Sequence, residues 1–70
     1  MKLFKTYDCA FCGVVQDMLE DKGIPFEEIY KEDSPELADE YEVMGVPVLF
    51  DEEGNRYQGL QECLAKVNTL

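Results

Sequence analysis

Cys9 and Cys12, separated by Ala10 and Phe11, stand between a strand-forming run and the start of a helix-forming one. A thiolate at a helix N-terminus is favoured by the helix dipole and by backbone N–H groups that lack an intrahelical partner. Cys9, just ahead of the helix, is expected to be the more exposed and more acidic sulfur, a nucleophile near neutral pH. Cys12, one turn on and pointing inward, can displace whatever Cys9 captures and close a disulfide. A C-x-x-C beside a βαβ pattern points to dithiol–disulfide exchange. Half of a zinc site is the structural alternative. Three cysteines and no His leave a four-coordinate site short of ligands, so no metal is expected, although a cluster or zinc shared between two chains stays open.

The elements that must position this pair follow from periodicity. Residues 3–7 favour a strand, with Phe4, Thr6 and Tyr7 as strand formers. From about Ala10 to Lys22, Phe11, Val14, Val15, Met18 and Leu19 recur at helical spacing. Gly23 stands at a left-handed stop, and Pro25 forbids continuation. Phe26 to Lys31 alternates loosely and is expected to form a second strand. At Asp33-Ser34-Pro35-Glu36 a second helix starts, with Ser34 as cap and Pro35 in the first helical position. It is expected to run to about Val43 with Leu37, Tyr41 and Met44 on one stripe, and Gly45 as its end. Residues 46–50 form an apolar strand opened by a proline. Asp51 to Gly54 turns the chain, Asn55 to Gln58 returns antiparallel, and Leu60 to Val67 forms a last helix.

The order β-α-β-α-β-β-α, with a right-handed crossover, defines the expected fold class: α/β, one four-stranded mixed sheet with helices on both faces. Residues 1–70 are expected to form one domain. The chain carries 16 acids against 6 bases, a formal charge of -10. Such a surface repels nucleic acid and anionic membranes and suits a basic patch on a partner; a merely well-solvated surface is the plainer account. The odd cysteine count argues against a secreted disulfide scaffold. No signal peptide is visible and no apolar stretch approaches a membrane span. The expected compartment is the cytoplasm, and a monomer is expected.

Val46-Pro47 is the second feature. A proline opening a central strand is awkward unless its missing N–H costs nothing. A cis bond would resolve this in a tight turn, placing the Val46 backbone groups beside the cysteines, where an extended substrate could pair as an added strand. An ordinary trans turn proline is the alternative, and cis bonds are only about 5–6% of X–Pro bonds.

Taken together, Cys9-Ala10-Phe11-Cys12, Lys22-Gly23-Ile24-Pro25-Phe26-Glu27 and Gly45-Val46-Pro47-Val48-Leu49-Phe50 resemble the thioredoxin superfamily, and within it the glutaredoxins and glutaredoxin-like redoxins. The resemblance extends to about Gln58. Asp8 and Ser34-Pro35-Glu36-Leu37 are similar to the short redoxins that donate electrons to ribonucleotide reductase. The resemblance implies a thioredoxin-like fold, a cis Pro47, a nucleophilic Cys9 and a resolving Cys12. It also implies a disulfide-bearing protein substrate such as ribonucleotide reductase, with thioredoxin reductase or glutathione as the electron source and no cofactor held by the chain.

Several positions depart from that pattern. Ala10-Phe11 replaces the usual Pro-Tyr. Thr6 stands where a Lys or Arg often precedes the first cysteine, and alternation points Lys5 to the opposite face from Thr6. Asp8 opposes thiol ionisation, leaving activation to the helix N-terminus. Gln58-Gly59-Leu60-Gln61-Glu62 replaces the Gly-Gly-Cys/Ser-Asp segment that grips glutathione, and it lacks the Arg and Pro of the reductase-feeding redoxins. Backbone N–H groups at Gly59 and Leu60 could still bind a carboxylate, with Glu62 repelling it. The expected substrate-binding residues are Tyr7, Phe11, Val46, Pro47, Gly59 and Leu60. Tyr7 and Phe11 form either a docking collar or plain packing. Cys63, on the apolar stripe of the last helix, is expected to be a buried small hydrophobe, with a regulatory thiol as the sharper alternative. The competing functions are a glutathione-dependent glutaredoxin and a redox-inactive acidic binding module.

Overall fold

The computed structural model describes residues 1–70. It contains β1 (Lys2–Lys5), α1 (Ala10–Asp21), β2 (Glu27–Tyr30), α2 (Pro35–Glu40), β3 (Val48–Phe50), β4 (Arg56–Gln58) and α3 (Leu60–Asn68). The sheet order is β2-β1-β3-β4. β1 pairs parallel with β2 and antiparallel with β3, and β4 closes the sheet antiparallel to β3.

Alternation along the two central strands divides the core. Leu3 and Leu49, paired across β1 and β3, pack with Val15 and Leu19 of α1 and Cys63 and Val67 of α3. Phe4 and Val48, the next pair, face the other way and pack with Ile29, Ala38, Val43 and Phe50 under α2. Helices therefore cover both faces, as the element order implied.

Boundaries differ from the periodicity in instructive places. β1 ends at Lys5, so Thr6 and Tyr7 belong to the loop, and β3 starts at Val48 rather than Val46. On α1 the buried positions are Cys12, Val15 and Leu19, because the sheet and α3 cover that side only; Phe11 and Val14 are exposed. α1 does stop at Gly23, where φ is 68°. The Gly23 N–H donates to the Glu20 carbonyl and the Ile24 N–H to the Leu19 carbonyl, a Schellman closure.

The second helix stops at Glu40, with Tyr41 as C-cap, so it is shorter than the expected run to Val43, and Gly45 plays no part in its end. The same Schellman pattern operates with Glu42 in the glycine position at φ 56°. The Glu42 N–H donates to the Asp39 carbonyl and the Val43 N–H to the Ala38 carbonyl. Val43 is thereby folded onto Ala38, while Met44 is thrown outward rather than joining the apolar stripe. Ser34 occupies the N-cap, but its side chain makes no capping bond.

Arg56 on β4 explains how a non-glycine residue is held at that helix end. Its guanidinium donates to the Tyr41 and Glu42 carbonyls at 2.8 and 2.6 Å. In the β3–β4 hairpin, Asp51 accepts the backbone N–H groups of Glu53 and Asn55 and the side chains of Asn55 and Tyr57. No helix is long and apolar enough to cross a membrane.

Candidate redox site

β1 and β4 run in the same direction, since each is antiparallel to β3. The helices that follow them, α1 and α3, therefore begin at one end of the sheet. The segment before β3 joins them there: Phe4 pairs with Val48, so residues 46–47 continue alongside the end of β1.

Cys9 is the N-cap of α1, with extended backbone at φ -88° and ψ 101°. Its sulfur accepts the Cys12 backbone N–H at 3.1 Å. The two cysteines are joined as a disulfide with Cα atoms 5.3 Å apart. Cys9 is half-buried, whereas Cys12 has no exposed surface. An incoming sulfur therefore meets Cys9 first, and Cys12 lies behind it. The first-turn N–H that would stabilise a thiolate is already aimed at the Cys9 sulfur.

Val46-Pro47 is cis. The Pro47 carbonyl accepts the Gly59 N–H at 2.9 Å, and the Cys63 thiol lies 3.9 Å from the same oxygen. Gly59, with φ 87° and ψ 163°, adopts a backbone region open only to glycine. Its conformation joins β4 to α3 and ties Pro47 to the start of that helix. Glu62, in the first turn of α3, also accepts the Gln58 N–H through Oε1. Cys63 is fully buried, and burial pushes its thiol up to about 11; this sulfur is a packing group.

The loop carrying Cys9 is fastened on its other flank. Tyr7 stacks on Tyr30 with ring centroids 4.2 Å apart, its N–H donates to Glu32 at 3.2 Å, and its hydroxyl donates to Asp33. That hydrogen bond to a carboxylate raises the phenol to about 12. The outer face of Tyr7 is open, as is Phe11. Of the expected substrate-binding residues, then, Tyr7 and Phe11 are surface groups, Val46, Gly59 and Leu60 are partly buried, and Pro47 is buried. All six lie at this end of the sheet.

Lys5 is the residue that periodicity missed. It is nearly buried, bonded to Gln16 of α1 and paired with Glu28 of β2 at 3.0 Å. Its ammonium also lies over the Tyr30 ring. Burial alone would lower its pKa, but the Glu28 hydrogen bond and charge outweigh that and raise it. Only the sheet pairing of Lys5 with Tyr30, which no local pattern reports, would have revealed it. The positive charge nearest in sequence is thus committed to Glu28 rather than offered to Cys9.

The concave regions of the surface are lined by other residues. One of about 200 Å³ sits at the opposite end, among Met1, Ile24, Asp51 and Lys66. Another lies beside Val43, Met44 and Arg56. Cys9 is approached over open surface.

Comparison with known proteins agrees with this geometry. A family model described as Glutaredoxin matches residues 1–54. The chain is 38% identical over 58 residues to N-acetyl-S-hydroxy-L-cysteine reductase of Bacillus subtilis (strain 168), covering 77% of this chain. It spans 62% of the length of that relative. Among solved structures, the glutaredoxin-like NrdH-redoxin of Escherichia coli superposes with a TM-score of 0.77 at 23% identity, covering 99% of this chain and 91% of that one. Thioredoxin 1 of Thermosipho africanus TCF52B superposes with a TM-score of 0.69 at 22% identity, covering 97% and 85% respectively. The fold is therefore thioredoxin-like.

Proposed function

The chain belongs to the glutaredoxin family, and from that premise we propose that it is a thiol–disulfide oxidoreductase acting through Cys9 and Cys12. One observation carries the proposal: a half-exposed sulfur caps α1 and accepts the Cys12 N–H, with the Cys12 sulfur buried directly behind it. In the reduced protein the Cys9 thiolate attacks one sulfur of a substrate disulfide. A Cys9–substrate disulfide forms and the other substrate sulfur leaves as a thiolate, which takes up a proton. Cys12 then loses its proton and attacks the Cys9 sulfur, releasing the second substrate thiol and regenerating the Cys9–Cys12 disulfide. Two electrons move to the substrate, and two must return from an external reductant.

The open approach to Cys9, flanked by exposed Tyr7 and Phe11, favours a disulfide on a protein over a small molecule enclosed in a pocket. Ribonucleotide reductase is the proposed target, on the strength of Asp8 and Ser34-Pro35-Glu36-Leu37. Thioredoxin reductase is the proposed electron source, with glutathione second, in a monomer working in the reducing cytoplasm. Val46 offers backbone groups for the substrate strand beside Pro47, and the Gly59–Leu60 turn flanks it.

The reductase relative favours a second reading, in which the substrate is an S-hydroxylated cysteine. The same two thiols suffice: Cys9 displaces the hydroxyl as water, and Cys12 then releases the reduced thiol.

Turnover measured with insulin, with glutathione disulfide and with N-acetyl-S-hydroxy-L-cysteine tests the proposal. Each is coupled to NADPH through thioredoxin reductase or through glutathione and its reductase. Insulin reduction supported by thioredoxin reductase is expected. No turnover in any combination, or full turnover by Cys9→Ser, would overturn it.

A further inference from the structure

We propose that the redox end is a docking surface for a polypeptide segment whose disulfide is flanked by basic and apolar side chains; this rests on the oxidoreductase reading and narrows its substrate class. The first observation is where apolar surface is left uncovered. Tyr7, Phe11 and Val14 are 62%, 59% and 44% exposed, and Met44, three residues before Pro47, is 84% exposed. Phe11 and Val14 lie three apart on one side of α1. Lys31 donates to the Met44 carbonyl at 3.4 Å, which brings the ends of β2 and the 44–47 segment together. Exposed Tyr7, Phe11 and Val14 therefore flank the disulfide, while Met44 lies beside Val43 and Arg56, away from it, and Leu70 is the last residue.

The second observation is the distribution of charge. Asp8, Glu32, Asp33 and Glu62 are exposed on the loops and helix start of this end. The ion pairs of the chain are Lys5–Glu28 and Lys66–Asp51, so none of these four acids has a cationic partner. Lys2, Lys22, Arg56 and Lys66 sit at the other end of the sheet and helices, among acids of that end such as Asp21, Glu27, Glu42 and Glu52; what marks the redox end is how few bases face its acids. Lys5 is neutralised by Glu28. Lys31 is the one remaining base here.

The two observations meet at Tyr7. One face of its ring is covered by Tyr30 and the other is open, with the Glu32 and Asp33 carboxylates bonded to the same residue. An arginine or lysine side chain laid on the open face gains a cation–π contact and two neighbouring carboxylates. Phe11 and Val14 are placed to cover apolar neighbours of the substrate cysteine. A second copy of this chain, carrying -10 itself, is repelled from the same surface, as is an anionic thiol peptide.

The test uses three peptide disulfides that differ only in two flanking residues: lysine, glutamine or glutamate. At low ionic strength the lysine-flanked peptide should be reduced at least about tenfold faster than the glutamate-flanked one, with the gap closing as salt is added. The double variant Asp8→Asn/Glu32→Gln should narrow that gap severalfold. Asp21→Asn/Glu52→Gln, with the same change in net charge at the far end, should preserve it. Equal rates for the three peptides, a preference for glutamate, or an equal narrowing by the far-end variant would each overturn the docking proposal while leaving the oxidoreductase reading intact. Failure to reduce even the glutamine-flanked peptide would overturn both.

Discussion

The Cys12 backbone N–H donates to the Cys9 sulfur at 3.1 Å, while the Cys12 side chain itself is wholly shielded from solvent. One residue thus supplies two groups of opposite role. Its backbone N–H is aimed at the outer sulfur, where a thiolate of the reduced protein would carry its charge, and its own sulfur lies on the inner side. The arrangement needs only that Cys9 be the N-cap, because the N-cap side chain is the one within reach of the unpaired N–H groups of the first turn.

The fastening of the Cys9 loop through Tyr7 has a spectroscopic signature. The hydrogen bond to Asp33 is expected to hold the Tyr7 phenol at about 12, above its ordinary value of 10.0. A folded-state pKa above the unfolded one adds stability that is complete below pH 10 and fades as pH rises toward 12. In ultraviolet titration, the difference between wild type and Tyr7→Phe should isolate a phenol that ionises near 12. Asp33→Asn should bring that phenol back toward 10; a phenol already at 10 in the wild type would refute the clamp.

The hairpin turn makes an acid-side prediction. Burial favours the neutral form of Asp51, but hydrogen bonds from the Asn55 side chain and backbone, from Tyr57 and from the Glu53 backbone outweigh it and hold the carboxyl at about 2. A folded pKa below the unfolded value of 3.8 adds stability present above pH 3.8 and lost as pH falls toward 2. Asp51→Asn should be less stable than wild type at neutral pH, with the difference shrinking between pH 4 and 2. Parallel acid-unfolding curves would contradict this.

The end of α2 gives a pair of opposed predictions. Glu42 holds a left-handed conformation that suits glycine, and its acid side chain sits at the negative end of the helix dipole. Glu42→Gly should raise stability by about 0.5–1 kcal/mol. Arg56→Ala removes the donors to the Tyr41 and Glu42 carbonyls and should lower stability by about 1–3 kcal/mol. Urea unfolding reads both, and the same sign for the two would refute the proposed closure.

What the sequence made legible follows the range of each interaction. The start of α1 at Cys9 and its stop at Gly23 are set by residues within one turn, and both stand where local signals place them. The end of α2 is set by Arg56, fourteen residues beyond Glu42, so local reasoning chose Gly45 instead. Burial of Lys5 depends on Gln16 and Glu28, which meet it only after the sheet forms. Phe11 and Val14 share the helical period of the core stripe, and only the way α1 seats on the sheet and α3 decides that they stay uncovered. The cis bond before Pro47 came from resemblance, since isolated X–Pro statistics favour trans.

The most direct test of the central claim is covalent capture. Reduced Cys12→Ser is mixed with a peptide disulfide, and the adduct is mapped by mass spectrometry. The expected result is a stable peptide disulfide on Cys9, with Cys63 unmodified, and no adduct on Cys9→Ser under the same conditions. An adduct that forms on Cys12 in Cys9→Ser while Cys12→Ser stays free would contradict the assignment of Cys9 as the attacking sulfur.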